Sequence, residues 1–190
     1  QLADPESFWM LGERDLSPQV SAWERLQRAA EELLNMSDPA VQGAPLITKP
    51  LEEARLRLVM SYALEQQGEA ALEPSRAKKG LERVRSTLNV ASYFAKATEQ
   101  AEKLEKLAQQ ADTTDEVYRL AVLGHGLRVR FAAASGKEEQ LHEQLAQAKK
   151  FTRQTGQPYL QWWLTAQAAL RAPDETMRLQ FVDQTREELN

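Results

Sequence analysis

The chain has 190 residues, 42% of them hydrophobic and 27% charged, with a formal net charge of -4 and no cysteine. That is enough apolar material for one folded domain, at roughly 100–200 residues per domain, and the composition excludes a disordered tail or a fibrous repeat. No apolar run approaches the roughly 18 residues of a membrane span, the missing cysteines remove disulfides, thiolate nucleophiles and thiolate metal centres, and a pI near 5.4 without a basic stripe argues against direct nucleic-acid binding.

Residues 1–50 carry 8 acids against 4 bases, whereas 51–190 carry 20 of each. The chain opens on Gln1, with its first methionine at Met10, and helical spacing through Phe181, Val182 and Leu189 runs to its end. Either a processed product or a piece of something longer would fit, and the expectation is a module of a larger protein. No segment alternates apolar and polar residues for long, so the predicted fold class is all-α.

In chain order, Ser17 as cap and Pro18 at the first helical position predict a helix over 18–36, with Trp23, Leu26, Ala30, Leu33 and Leu34 on one face. Pro39, Gly43, Pro45 and Pro50 make 37–50 the main irregular connection. Pro50 opens a second helix with a stripe of Leu51, Ala54, Leu58, Ser61, Tyr62 and Leu64, fading near Gly68 or Leu72. Apolar residues then recur at Leu81, Val84, Leu88, Ala91 and Ala95, and at Phe94, Ala97, Ala101, Leu104 and Leu107, as one long helix or two hinged near Asn89. Thr113 with Glu116 predicts a capping box and a helix to about Ala134. Ser135 with Glu138 repeats that signature, Gly136 supplies a left-handed stop, and Leu141, Leu145, Ala148 and Phe151 form the next buried face up to Gly156. Pro158 opens a helix through Arg171, and Pro173, followed by Asp174 and Glu175, opens the last. Connections this short make successive helices antiparallel neighbours.

A shift of 44 residues lays Ala97, Ala101, Leu104 and Leu107 on Leu141, Leu145, Ala148 and Phe151, then Asp112 on Gly156, Tyr118 on Trp162 and Leu120 on Leu164. Two helix-turn units fall into register, as stacked hairpins do, although any two amphipathic hairpins of similar length match at apolar positions. The stretch Tyr118–Leu170, with its small-residue turn, its Ala-Lys-Lys-Phe-x-x-x-Thr-Gly helix end and its aromatic-rich following helix, resembles the degenerate tetratricopeptide-like (TPR-like) repeats of bacterial regulatory proteins. The Trp-x-x-Leu-Gly-x-x-Tyr run of the full pattern is missing, and 44 exceeds the usual spacing of about 34. The resemblance implies a TPR-like α-solenoid of antiparallel hairpins that docks proteins or peptides, or senses beside an effector domain. The alternative architecture is a compact helical bundle. Either is read as one all-α domain, with an N-terminal helix and proline-rich connection over 1–50 and hairpin repeats over 51–190.

The candidate sites are few. His125 and His142 are the only histidines, and Glu139-x-x-His142 has no second copy because Val122 stands three before His125, so no metal or other cofactor is expected. Gly124-His125-Gly126 lies inside a predicted helix, where each glycine costs roughly 1 kcal/mol against alanine; close approach of a neighbouring helix is the preferred explanation, a ligand notch the alternative. Trp162 and Trp163 point about 100° apart on a helix. The stripe Tyr159, Trp163, Ala166 and Leu170 marks Trp163 as the inner ring and leaves Trp162 as the candidate partner-binding residue, with Arg119, Arg128 and Arg130 as polar contacts to the same groove. Their structural alternative is a solvated face. No Gly-x-Ser-x-Gly turn or phosphate loop is present, so enzyme activity is not expected. The functional expectation is a non-catalytic protein- or peptide-binding regulatory scaffold, cytoplasmic, with a homodimer open as a further association. The alternative is a periplasmic ligand-sensing bundle of a membrane-bound receptor.

Overall fold

The computed structural model describes residues 20–37, 45–110, 113–134, 138–172 and 174–189. Within them lie seven α-helices: α1 (Val20–Asn35), α2 (Pro50–Ala77), α3 (Gly80–Ala108), α4 (Asp115–Ala134), α5 (Glu138–Gln154), α6 (Gln161–Arg171) and α7 (Glu175–Leu189), with a 3-10 turn over Pro158–Leu160. The described residues contain no strand beyond a single antiparallel bridge between Ser37 and Pro45. The fold is all-α, and no described helix is long and apolar enough to cross a membrane.

Local chemistry accounts for several helix ends. Lys49 is extended, Pro50 takes the first turn, where its missing N–H costs nothing, and Glu52 and Glu53 sit at the positive end of α2. That helix continues past the expected fade, through Gly68 and Pro74 to Ala77. Gly68 is where the Phe94 ring of α3 rests on the α2 backbone, so tertiary packing carries the helix across a residue of poor propensity. α3 is one unbroken helix with no hinge at Asn89. At the start of α4, Thr114 rather than Thr113 faces the free N–H of Val117, at 3.5 Å, while the Thr113 hydroxyl donates to the Leu107 carbonyl at 2.6 Å. The capping box expected on Thr113 and Glu116 therefore does not form. α5 ends in a Schellman turn, with Gln157 N–H on the Thr152 carbonyl at 2.7 Å and Gly156 N–H on that of Arg153 at 3.4 Å. The turn requires a left-handed residue, and Gly156 has φ 71°. Asp174 Oδ1 accepts the Met177 N–H at 2.8 Å and caps α7. The signals expected from Ser17, Pro18, Ser135, Gly136 and Pro173 lie outside the described residues, as does Asp112.

Helix α2 packs on α1, α3 and α4; α4 packs in addition on α3, α5 and α6; and α6 packs on α5 and α7. The main core draws on α2 to α7, with Leu104, Val117, Leu127, Leu141, Leu145, Leu164 and Phe181 among its buried side chains. A second small cluster of Ala30, Leu56 and Met60 seats α1 on α2, and Trp23 meets Tyr62 edge-on with centroids 5.4 Å apart. Covered from several sides, α2 is buried at every residue from 60 to 68.

Two stripes are placed differently from their expected positions. On α3, Ala97, Ala101, Leu104 and Leu107 are buried, but Leu81, Val84 and Leu88 are 79%, 55% and 64% exposed, and Ala91 and Ala95 are exposed with them. The N-terminal half of α3 runs beyond the neighbours that would cover it. On α6 the buried side chains are Leu164, Thr165, Gln167, Ala168 and Ala169, while Tyr159 and Leu170, expected inside, are exposed. That helix meets α4, α5 and α7 at once, so its buried arc is wider than one stripe.

Candidate functional site

Three helices bring polar side chains together where α2, α4 and α6 meet. On α2, Tyr62, Glu65 and Glu69 follow at spacings of three and four, which places them on one face. Glu65 is fully buried and accepts from Arg130 Nη2 of α4 at 2.5 Å. Its second oxygen, Oε1, is buried with no hydrogen-bond partner among the described residues. One helix further, Arg171 of α6 ion-pairs with Glu69. On α6, Trp163, Gln167 and Arg171 are spaced four apart, and both Trp163 and Gln167 come against Gly126 of α4. The cluster therefore joins the three helices along adjoining faces.

The low-polarity surroundings set the electrostatics. Burial pushes the Glu65 carboxyl up to about 7, against the opposing pull of Arg130. The Tyr62 phenol is raised as well, first by burial and then by the Glu65 charge. A second group lies between α3 and α4: Arg128 Nη1 donates to Glu105 Oε2 at 3.1 Å, and His125 Nε2 approaches the same oxygen at 3.5 Å without a hydrogen bond. The His125 ring packs on Phe151 with centroids 4.8 Å apart. Its burial, and then the Arg128 charge, lower its pKa to about 4, so it is neutral at pH 7.

No protein-family model, curated protein or solved structure matches the chain.

The residues singled out in the sequence do not converge on one groove. At about 100° per residue, Arg128 emerges from α4 roughly opposite Arg119 and Arg130. Arg119 is exposed, Arg128 turns to Glu105, and Arg130 is buried against Glu65. Trp163 is half-buried against the main core, its ring lying over Gly126 so closely that a Cβ there would overlap it. Gly124 faces the other way, and its Cβ would meet Leu104 and Ala101 of α3 at 3.2 and 3.3 Å. The paired glycines thus admit two neighbouring helices, the packing explanation preferred for them above. Trp162 is half-buried. His142 is exposed and lies 3.6 Å from Glu138, one turn back, and the described residues hold no group of three or more potential metal ligands.

Sequence reasoning missed Glu65, Glu69 and Arg171. The available signal was the pair Glu65 and Glu69 four apart on a helix with Arg130 and Arg171 downstream. Nothing local marked α2 as a helix covered all round.

Proposed function

We propose that the chain is a non-catalytic protein-interaction scaffold in which three hairpins, α2–α3, α4–α5 and α6–α7, stack in tetratricopeptide fashion. The observation that carries this reading is the burial pattern under the 44-residue shift. Ala97, Ala101, Leu104 and Leu107 are all buried, as are their counterparts Leu141, Leu145, Ala148 and Phe151; Leu120 and Leu164 are both buried, and Tyr118 and Trp162 are both half-buried. Equivalent positions thus occupy equivalent environments, which a repeated unit requires and a chance match of apolar residues does not. The succession of contacts supports the same reading, since the leading helices α2, α4 and α6 meet in order and each trailing helix touches the next leading one. The Glu65–Arg130 and Glu105–Arg128 clusters are spent on joining helices, which favours a scaffold over a catalyst.

Hydrogen exchange on the full chain tests the stack. Leu164→Ala in the third hairpin should lower protection in α6 and α7 and leave α2 and α3 nearly unchanged, because repeats are coupled chiefly to their neighbours. A uniform loss over all helices would favour the compact bundle. The scaffold role is tested by a photo-crosslinker at position 162 in cells: one reproducible protein adduct is expected, with that protein's affinity for purified chain falling at least tenfold in Trp162→Ala.

A further inference from the structure

The N-terminal half of α3 carries an apolar face left exposed among the described residues. Leu81, Val84, Leu88, Ala91 and Ala95 follow at spacings of three, four, three and four, and all five are exposed. That spacing is the a/d seam of a coiled coil, which keeps one face turned to a partner helix over successive turns. A solvated helix gains nothing from such a seam.

The surroundings of the seam are basic. Residues 78–96 hold Lys78, Lys79, Arg83, Arg85 and Lys96 against the single acid Glu82, in a chain whose net charge is -4. Lys78 and Lys79 stand at the start of the seam and Arg85 borders it; all three are exposed, and none is ion-paired among the described residues. Some other surface cations are matched at short range, as Lys103 is with Glu99 and Arg178 with Glu175.

We propose that this face of α3 docks an amphipathic helix of a partner protein, with leucine-type side chains against the seam and carboxylates beside it. The inference rests on the scaffold reading and assigns it a site and a partner chemistry. Charge selects this occupant over the others. A second copy would bring together two faces that each carry five cations against one acid. A bilayer is disfavoured because the seam has no aromatic side chain and its second half is alanine, which adds little insertion energy but lets another backbone come close.

The test uses the full chain and a fluorescein-labelled four-heptad peptide with Leu at a and d and Glu at e and g, read by anisotropy. Saturable micromolar binding is expected, weakened at least tenfold by L81E/L88E and by K78E/K79E/R85E, and weakened by salt, while a Lys-substituted peptide fails to bind. The substituted side chains are exposed, and circular dichroism identical to wild type confirms that the variants fold. No binding of the Glu peptide, equal binding of the Lys peptide, or indifference to L81E/L88E overturns the proposal. Dimerisation of the wild type abolished by L81E/L88E would assign the face to a second copy, and co-sedimentation with phosphatidylglycerol vesicles without peptide binding would assign it to a membrane; either result overturns it. If the Glu peptide fails to bind while the protein crosslinked at position 162 still binds, the seam proposal fails and the scaffold reading stands.

Discussion

Glu65 and Arg130 are 65 positions apart in sequence and 2.5 Å apart in the fold, with the carboxylate wholly shielded from solvent. Attraction inside such a junction is offset by the cost of removing both charges from water, so the pair specifies how α2 meets α4 more than it adds net stability. Glu65→Leu at pH 8, which leaves the Arg130 guanidinium without its carboxylate, should cost about 3–5 kcal/mol, whereas Glu65→Leu with Arg130→Met should recover to within about 1 kcal/mol of wild type. Urea midpoints of the three proteins check this. A single-variant loss below about 1 kcal/mol would show that the pair is not sealed from water.

The same carboxyl makes stability depend on pH, and His125 opposes it. Glu65 is raised from 4.5 to about 7 in the fold. Its contribution is present below pH 4.5 and is lost as pH rises to 7, because there the unfolded chain has released a proton that the native one holds. His125 is lowered from 6.5 to about 4. Its contribution is present above 6.5 and is lost as pH falls to 4. Each effect amounts to about 3 kcal/mol at roughly 1.4 kcal/mol per unit. Relative to wild type, Glu65→Gln should therefore gain stability as pH rises from 4.5 to 7, and His125→Gln should lose it from 4 to 6.5. Parallel melting-temperature profiles for all three would refute both assignments.

Gly126 and Gly124 serve different contacts and should respond differently. A Cβ at Gly126 runs into the Trp163 ring, whereas one at Gly124 meets the Leu104 Cδ1 at 3.2 Å. Gly126→Ala should cost about 1–3 kcal/mol through overpacking, and Gly124→Ala should stay within about 1 kcal/mol because helix propensity offsets the tighter contact. Pairing Gly126→Ala with Trp163→Leu should restore part of the loss, and denaturation midpoints would reveal whether it does.

The ends of α5 and α7 rest on single residues. Gly156 has a positive φ and nothing within 4 Å of its would-be Cβ, so Gly156→Ala isolates backbone strain and should cost about 1–2 kcal/mol. Asp174→Ala removes the cap from the Met177 N–H and should cost about 1 kcal/mol. Equal stability of either variant and wild type would show that the local turn is formed by other means.

What could be read from the sequence was what local rules control. The α5 face of Leu141, Leu145, Ala148 and Phe151 and its stop at Gly156 were legible because periodicity and a left-handed turn act within a few residues. The start of α4 was displaced by one residue because adjacent threonines compete to cap, and only the reach of Thr113 back to Leu107 decides between them. The buried Glu65 was not legible, since covering α2 with α1 depends on contacts such as Trp23 with Tyr62 that no spacing announces. The tryptophans were half legible: Trp163 does lie against α4, but the stripe that nominated it ends in the exposed Tyr159 and Leu170.

The pair Glu69–Arg171 has a kinetic consequence. It ties α2 to α6 across more than half the chain, while most helix contacts join close neighbours. Local hairpins close quickly, and a bond that must wait for three intervening helices is expected to form after the rate-limiting step. Such a late bond resists opening without hastening closure. Glu69 and Arg171 thus act as a clasp on the finished array: without them the chain would still refold at its usual rate, but it would come apart sooner.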